Sequence, residues 1–360
     1  MCSSKIISLV ILVLSIATSV LAQPESRDIL DQTYLEYVDR LPKNLISEKS
    51  IGVLIADNRA SGQKMATEVH PTFAKAGVDV VAYYHVDDLF GGTILSKPLS
   101  AEMVKREVLQ LVFIIKKAIG YKVVITPFSK DERFVKHGKK AWRMESNQLS
   151  EITDQIYRMC ASLDRRNFLI SDKPEYGRFN YRVKGQRYEA YKPDLKTQKL
   201  AVPMYMPIVL PGTIEGKVGL EKTRSIVNQY NLELIGRNEA IKSAFKDYPY
   251  PHVFIEEPLT HKQLKDKGFN YVLQRIHATS NTVRDLLKYE QKPGVTDYIS
   301  VRMKEGKGDI VRLKGDVPAY KYYIKSIAAN SYYLGAKWDA DLTDEGALNN
   351  HVQLLTAEIR

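Results

Sequence analysis

The chain has 360 residues, with 53 Lys and Arg against 42 Asp and Glu, a formal net charge of +11, and two cysteines. That length accommodates two domains, and the basic excess favours anionic partners: surface polysaccharide, lipid headgroups or acidic protein. With Cys2 in the leading segment and Cys160 alone thereafter, an intrachain disulfide and a cysteine-based metal site are both excluded.

Residues 1–22 read in the order of an export signal. Lys5 is their single charge, Ile6–Ile16 is a near-continuous apolar run, and Val20 and Ala22 precede Gln23 as small residues precede a cleavage site. The run is short for a membrane span, and no later stretch approaches spanning length. A periplasmic or secreted protein, cleaved near Ala22 and without a transmembrane segment, is the expectation. Ile29, Leu30, Tyr34, Leu35 and Val38 then predict an amphipathic helix, a helical extension over residues 23–47.

A first α/β domain is expected over 48–171. Ile51–Asp57 is an apolar strand, and Met65, Val69, Phe73 and Ala76 give Lys64–Ala76 a helical stripe that Gly77 closes. Pro71 should bend that helix or move its start. Val78–Val86 is a second strand, Ser100 caps a second helix, and Leu111–Ile115 and Lys122–Pro127 are further strands. The basic cluster Lys130–Lys140 reads as a solvated loop, and a helix over Leu149–Leu163 follows Trp142, with Cys160 on its apolar face. Residues 172–220 differ. Phe179, Tyr181 and Val183 alternate with polar residues as an edge strand would. Pro203, Pro207 and Pro211 then break the chain into an extended connector.

The second domain, 221–360, repeats the order. Asn238–Asp247 is a helix, His252–Glu256 a strand, Thr260 caps a helix ending at Gly268, Tyr271–Ile276 is a strand, and a last helix runs to Ile359. Pro98-Leu99-Ser100 aligns without gaps on Pro258-Leu259-Thr260. Counting from Trp142 and Trp338, Ile152, Ile156, Met159 and Leu163 fall on Leu348, Val352, Leu355 and Ile359. The fold class expected is therefore α/β with mixed sheets, two tandem divergent copies of a β-α-β-α-β-β-α unit. Extra strands or a long hairpin in the second copy lie around Tyr289–Pro318. The Tyr320–Tyr333 tyrosines read as half-buried cross-strand pairs.

This order resembles the N-terminal α/β domain of TolB-like envelope proteins. Leu264–Gln274, a helix ending in Lys-Gly with an immediate strand, carries the likeness, as do Ile51–Asp57 and the Gly77-Val78 helix exit. Tyr320–Lys325 and Lys337–Asp341 are similar to segments of exported proteins of Bacteroidetes. The resemblance implies an envelope-associated binding or assembly role and transfers no functional residue.

The sharpest chemical cluster is His85-Val86-Asp87-Asp88 at the end of the second strand, with Asp57 at the end of the first. Strand ends of α/β folds often carry sites, and neighbouring carboxylates can bind a divalent ion or split into acid and base. Asp57, His85, Asp87 and Asp88 are thus the candidates for a hydrolase or metal-dependent enzyme. The structural alternative, acids that turn the chain toward the next helix, carries more weight, since Glu256-Glu257 recur at the matching place. Asp339 and Asp341 fit the start of the last helix, with Thr343 as cap, better than a calcium loop. Gly91-Gly92 is a turn. No nucleophile elbow, phosphate loop, dinucleotide fingerprint or histidine metal pair is present, so neither cofactor nor metal is expected. The basic segments lack the aromatic interleaving of a nucleic-acid platform. The favoured reading is a non-catalytic envelope-associated protein whose partner is an envelope protein or an anionic glycan.

Overall fold

A computed structural model of the chain describes residues 29–163, 169–177, 181–214, 216–290, 294–304 and 307–359. The expected export signal and its cleavage position lie outside the described residues.

The first unit contains β1 (Leu35–Val38), β2 (Lys49–Ile55), α1 (Arg59–Ala76), β3 (Asp79–His85), the short α2 (Val86–Leu89) and α3 (Thr93–Lys105). It continues with β4 (Val108–Lys116), β5 (Tyr121–Pro127), β6 (Lys139–Ser146) and α4 (Leu149–Cys160). The strands form one sheet in the order β1-β6-β5-β4-β2-β3. The second unit contains β7 (Gln186–Tyr188), β8 (Leu200–Pro203), α5 (Leu220–Ala244), β9 (His252–Ile255), α6 (His261–Asp266), β10 (Tyr271–Thr279) and α7 (Ser280–Leu286). A hairpin, β11 (Asp297–Lys304) and β12 (Lys307–Lys314), precedes β13 (Pro318–Ser326), β14 (Ser331–Tyr333) and α8 (Asp344–Ile359). Its sheet order is β7-β14-β13-β10-β8-β9.

The two orders are the same once the hairpin is set aside. The central parallel strands correspond, β4-β2-β3 to β10-β8-β9. The antiparallel pairs β4-β5-β6 correspond to β10-β13-β14, and even the parallel edge pairing of β1 on β6 is repeated by β7 on β14. The protein is an α/β fold of two similar units with mixed sheets.

Alternation along the strands puts apolar side chains on both sheet faces. In β2, Ile51, Val53 and Ile55 meet α3 residues Leu99 and Met103, while Leu54 meets Met65, Phe73 and Ile152 of α1 and α4. In the second unit Leu200, Leu273 and Ile324 pack under α5 and α8, and Ala201 and Val272 under Leu264 of α6. Asn58 caps α1 through the Ser61 N–H at 2.8 Å, and Gly77 ends it at φ +83°. Pro71 sits inside a continuous helix, which starts five residues earlier than the apolar stripe predicts. Among the described residues no helix is long and apolar enough to cross a membrane.

Several segments differ from expectation. Residues Leu35–Val38, expected within a helix, form β1: added in parallel to β6, they cover a strand edge that would otherwise expose unpaired backbone groups, which a helix packed there would not. The 172–220 segment, expected to be a connector, supplies β7 and β8, the latter being the counterpart of β2. Residues 178–180 of its expected edge strand lie outside the described residues, and Tyr181 and Val183 belong to no strand. The first unit also holds one strand more after α3 than the expected pattern, because β6 is half polar.

Candidate functional site

The structure separates the sequence candidates. Asp57 is 66% exposed and accepts a hydrogen bond from Lys116 Nζ at 2.6 Å. His85, Asp87 and Asp88 come together instead, all buried, where β3 runs into α2. His85 Nδ1 lies 3.1 Å from Asp87 Oδ2. Asp88 is held by both terminal nitrogens of Arg59, one of them at 2.8 Å, and Arg59 also reaches Thr282 Oγ1 of the second unit at 3.3 Å. Burial pushes the Asp88 carboxyl above its ordinary value, and Arg59 opposes that shift.

These acids sit at the joint between the units. The His277 N–H in β10 donates to the Gly91 carbonyl at 3.1 Å. A Cβ at Gly91 would lie 2.3 Å from the His277 carbonyl oxygen, so the Gly91-Gly92 turn allows two backbones to touch. Leu95 of α3 inserts among Ile276, Val283 and Tyr332 of the second unit. The His277 ring stacks on Tyr320 with centroids 4.0 Å apart, and its pKa is pushed down to about 4 by burial and by Arg275, with Asp87 and Asp344 opposing. Beside it Asp344 accepts hydrogen bonds from the Tyr205 and Tyr322 hydroxyls, the latter at 2.7 Å, and Arg275 lies over the Tyr205 ring. Sequence reasoning missed Arg59, Thr282, Arg275 and His277, since contacts across so many residues leave no local signal.

Asp339 and Asp341 are used inside the second unit. Lys321 is wholly buried against Asp339, and His351 Nδ1 lies 3.1 Å from the other Asp339 oxygen. Burial alone would raise Asp339; Lys321 and His351 overcome it and hold the carboxyl below the usual range. Asp341 takes a two-pronged contact from Arg302 at 2.8 and 3.1 Å. Thr343 Oγ1 accepts the Gly346 N–H, the capping bond that its place before α8 predicts. Among the described residues no group of three or more His, Cys, Asp and Glu side chains is arranged to hold a metal ion.

A cavity of about 640 Å³ opens on the other side of β3. Residues 174–177 run along the edge of that strand: Tyr83 N–H donates to the Glu175 carbonyl and Gly177 N–H to the Tyr83 carbonyl, both at 2.8 Å. This covers an edge that would otherwise expose unpaired backbone groups. Gly177 lies flat on the Tyr84 ring, where a Cβ would come within 1.9 Å. Tyr84 and Glu175 lie on the strand side, Leu99 and Glu102 on α3 and Arg106 just after its last residue, with Tyr181 also on the wall. Arg106 Nε bonds Glu102 at 3.1 Å, and the Tyr181 hydroxyl donates to the Pro98 carbonyl at 3.3 Å. Burial raises the Tyr84 hydroxyl pKa, with Arg106 opposing. The Glu102–Arg106 spacing of four on one helix is legible in the sequence, but nothing in its composition marks a pocket.

No protein-family model, curated protein or solved structure matches the chain.

Proposed function

We propose that the protein is exported and acts in the cell envelope as a binding protein, holding a glycan segment in the cavity between α3 and residues 174–177 without a chemical step. The observation that carries this reading is the cavity itself: its volume lies in the range of small-ligand sites, and its walls combine tyrosine rings with a carboxylate–guanidinium pair. A sugar ring presents C–H bonds on its faces and hydroxyls on its rim. The half-buried Tyr181 offers the first a surface, and Glu102, Glu175 and Arg106 offer the second planar donors and acceptors. Two carboxylates against one guanidinium favour a glycan with few acid groups over a strongly anionic one. Support for a binding rather than a hydrolytic role comes from the joint, where Asp88 is taken up by Arg59 and lies buried.

The test is calorimetric titration of the purified protein with oligosaccharides released from envelope material. Binding should weaken at least about tenfold in Glu102→Gln/Arg106→Gln, the loss of one charged hydrogen bond or more. Full affinity in that variant would remove the cavity from the reading. Release of new reducing ends by the wild type, abolished in Asp87→Asn, would replace it with the hydrolytic one.

A further inference from the structure

The second unit carries a hairpin that the first lacks. Its two faces have opposite character, and register decides which residues share each. Tyr298 faces Leu313 and Ser300 faces Val311; this inner side is buried against Trp338 and Ala340, with the Ser300 hydroxyl donating to the Ala340 carbonyl. The outer side presents Val301 opposite Ile310 and Ile299 opposite Arg312, with Asp297 opposite Lys314. Ile299 is 68% and Ile310 76% exposed. Single exposed apolar residues are ordinary; here two exposed isoleucines flank the half-buried Val301 by register, on a segment that the duplicated fold does without. Cations frame them. On this same face Lys314 stands exposed at the base and Arg312, paired with Asp297, beside Ile299.

We propose that this outer face docks on a bilayer carrying anionic headgroups. Apolar side chains that project between cations suit the boundary between acyl chains and acidic headgroups, where burial and charge attraction add. A second copy of the chain is the less suited occupant. A two-fold contact through this face would bring Lys314 and Arg312 of one copy toward the same cations of the other, whereas an anionic surface complements them. The inference is independent of the glycan cavity, which lies in the first unit.

The test is sedimentation with vesicles of phosphatidylcholine, with or without one-third phosphatidylglycerol. The protein should partition onto the anionic vesicles and be released as salt rises. Ile299→Ser/Ile310→Ser should lower that partition at least about tenfold, because most of the buried apolar area is lost. Arg312→Glu/Lys314→Glu should abolish the preference for anionic vesicles. All four side chains are exposed, so the variants should keep the wild-type circular dichroism. Undiminished partition of the Ile variant, equal binding to both vesicle types, or no binding at low salt would each overturn the proposal. So would a dimer on gel filtration that the Ile variant dissolves while vesicle binding is unaltered.

Discussion

Two strand ends occupy the same place in the duplicated unit and lead different lives. After β3 the chain reads Val86-Asp87-Asp88; after β9 it reads Glu256-Glu257. The first pair is buried, with Asp88 closed by Arg59 and roofed by the second unit. The second pair is exposed, with Glu257 paired to the surface Lys267. The topology repeated in both sheets places acids at both ends, and the docking of one unit on the other decides what they do. A cluster that looks like chemistry in the sequence is, at one end, a joint.

The comparison breaks or holds first on Arg59. Arg59→Ala leaves the Asp88 carboxylate buried without its partner and should cost about 3 kcal/mol, the low side of the range for buried pairs because Arg59 reaches solvent. Lys267→Ala at the open end should stay within about 0.5 kcal/mol, as exposed pairs do. Urea unfolding of the two variants reads the difference directly. Equal costs would mean that the joint is no more than a surface contact.

The pH dependence sharpens it further. His277 titrates at about 4 in the folded protein, chiefly through burial, against about 6.5 in an unfolded chain. Between those values the unfolded chain holds a proton that the native state refuses, so stability falls as pH drops from about 6.5 toward 4 and levels off below. The full effect is about 3 kcal/mol, a shift of between two and three pKa units. Asp88, whose pKa is raised, works in the opposite sense as it takes up its own proton at low pH. Comparing His277→Gln with the wild type at pH 7, 5.5 and 4.5 isolates the histidine. Parallel stability curves would place His277 in contact with water.

Backbone contact gives a third measure, with opposite signs expected in the two places. Gly91→Ala drives a Cβ into the His277 carbonyl and should cost about 2 kcal/mol. Gly236, helical and open on α5 with no atom within 4 Å of an added Cβ, should gain up to about 1 kcal/mol as Ala. Thermal melts of the pair suffice, and a neutral Gly91→Ala would show that the two backbones do not touch.

Much of this was legible because the units obey local periodicity. The strands Tyr121–Pro127 and Tyr271–Thr279, the helix α8 and the long hairpin of the second copy all follow from apolar spacing and turn residues. What failed to show depends on partners far along the chain. Leu35–Val38 has a helical stripe but adds to β6 instead, and Leu200–Pro203 is four residues of apparent connector that become the counterpart of β2. The tryptophan match was a coincidence of count: Trp142 lies within β6, while Trp338 follows β14 by five residues and packs against Tyr289. The candidate site was half legible. The carboxylates were visible, but Arg59 and His277, which give them their role, lie 29 residues away and in another unit.

The alignment of Pro98-Leu99-Ser100 on Pro258-Leu259-Thr260 yields the smallest and most local test. The sequence makes both hydroxyls helix caps. Thr260 is one: its Oγ1 accepts the Gln263 N–H at 3.3 Å, and the Gln263 side chain returns to the Thr260 N–H at 2.9 Å, a reciprocal pair. Ser100 lies inside α3, which begins at Thr93 after Gly92, and its hydroxyl donates to the Lys97 carbonyl at 2.9 Å. The first copy has extended its helix backward over the position where the second one starts, and the joint explains why: the added turn carries Leu95 into the second unit. Thr260→Ala should therefore cost about 1 kcal/mol, the price of a lost cap. Ser100→Ala should be close to neutral, since Ala suits a helix interior and the carbonyl keeps its helical partner. Equal losses at the two positions would mean that α3 starts at Ser100 in solution, and that the turn holding Leu95 in the joint is not helical.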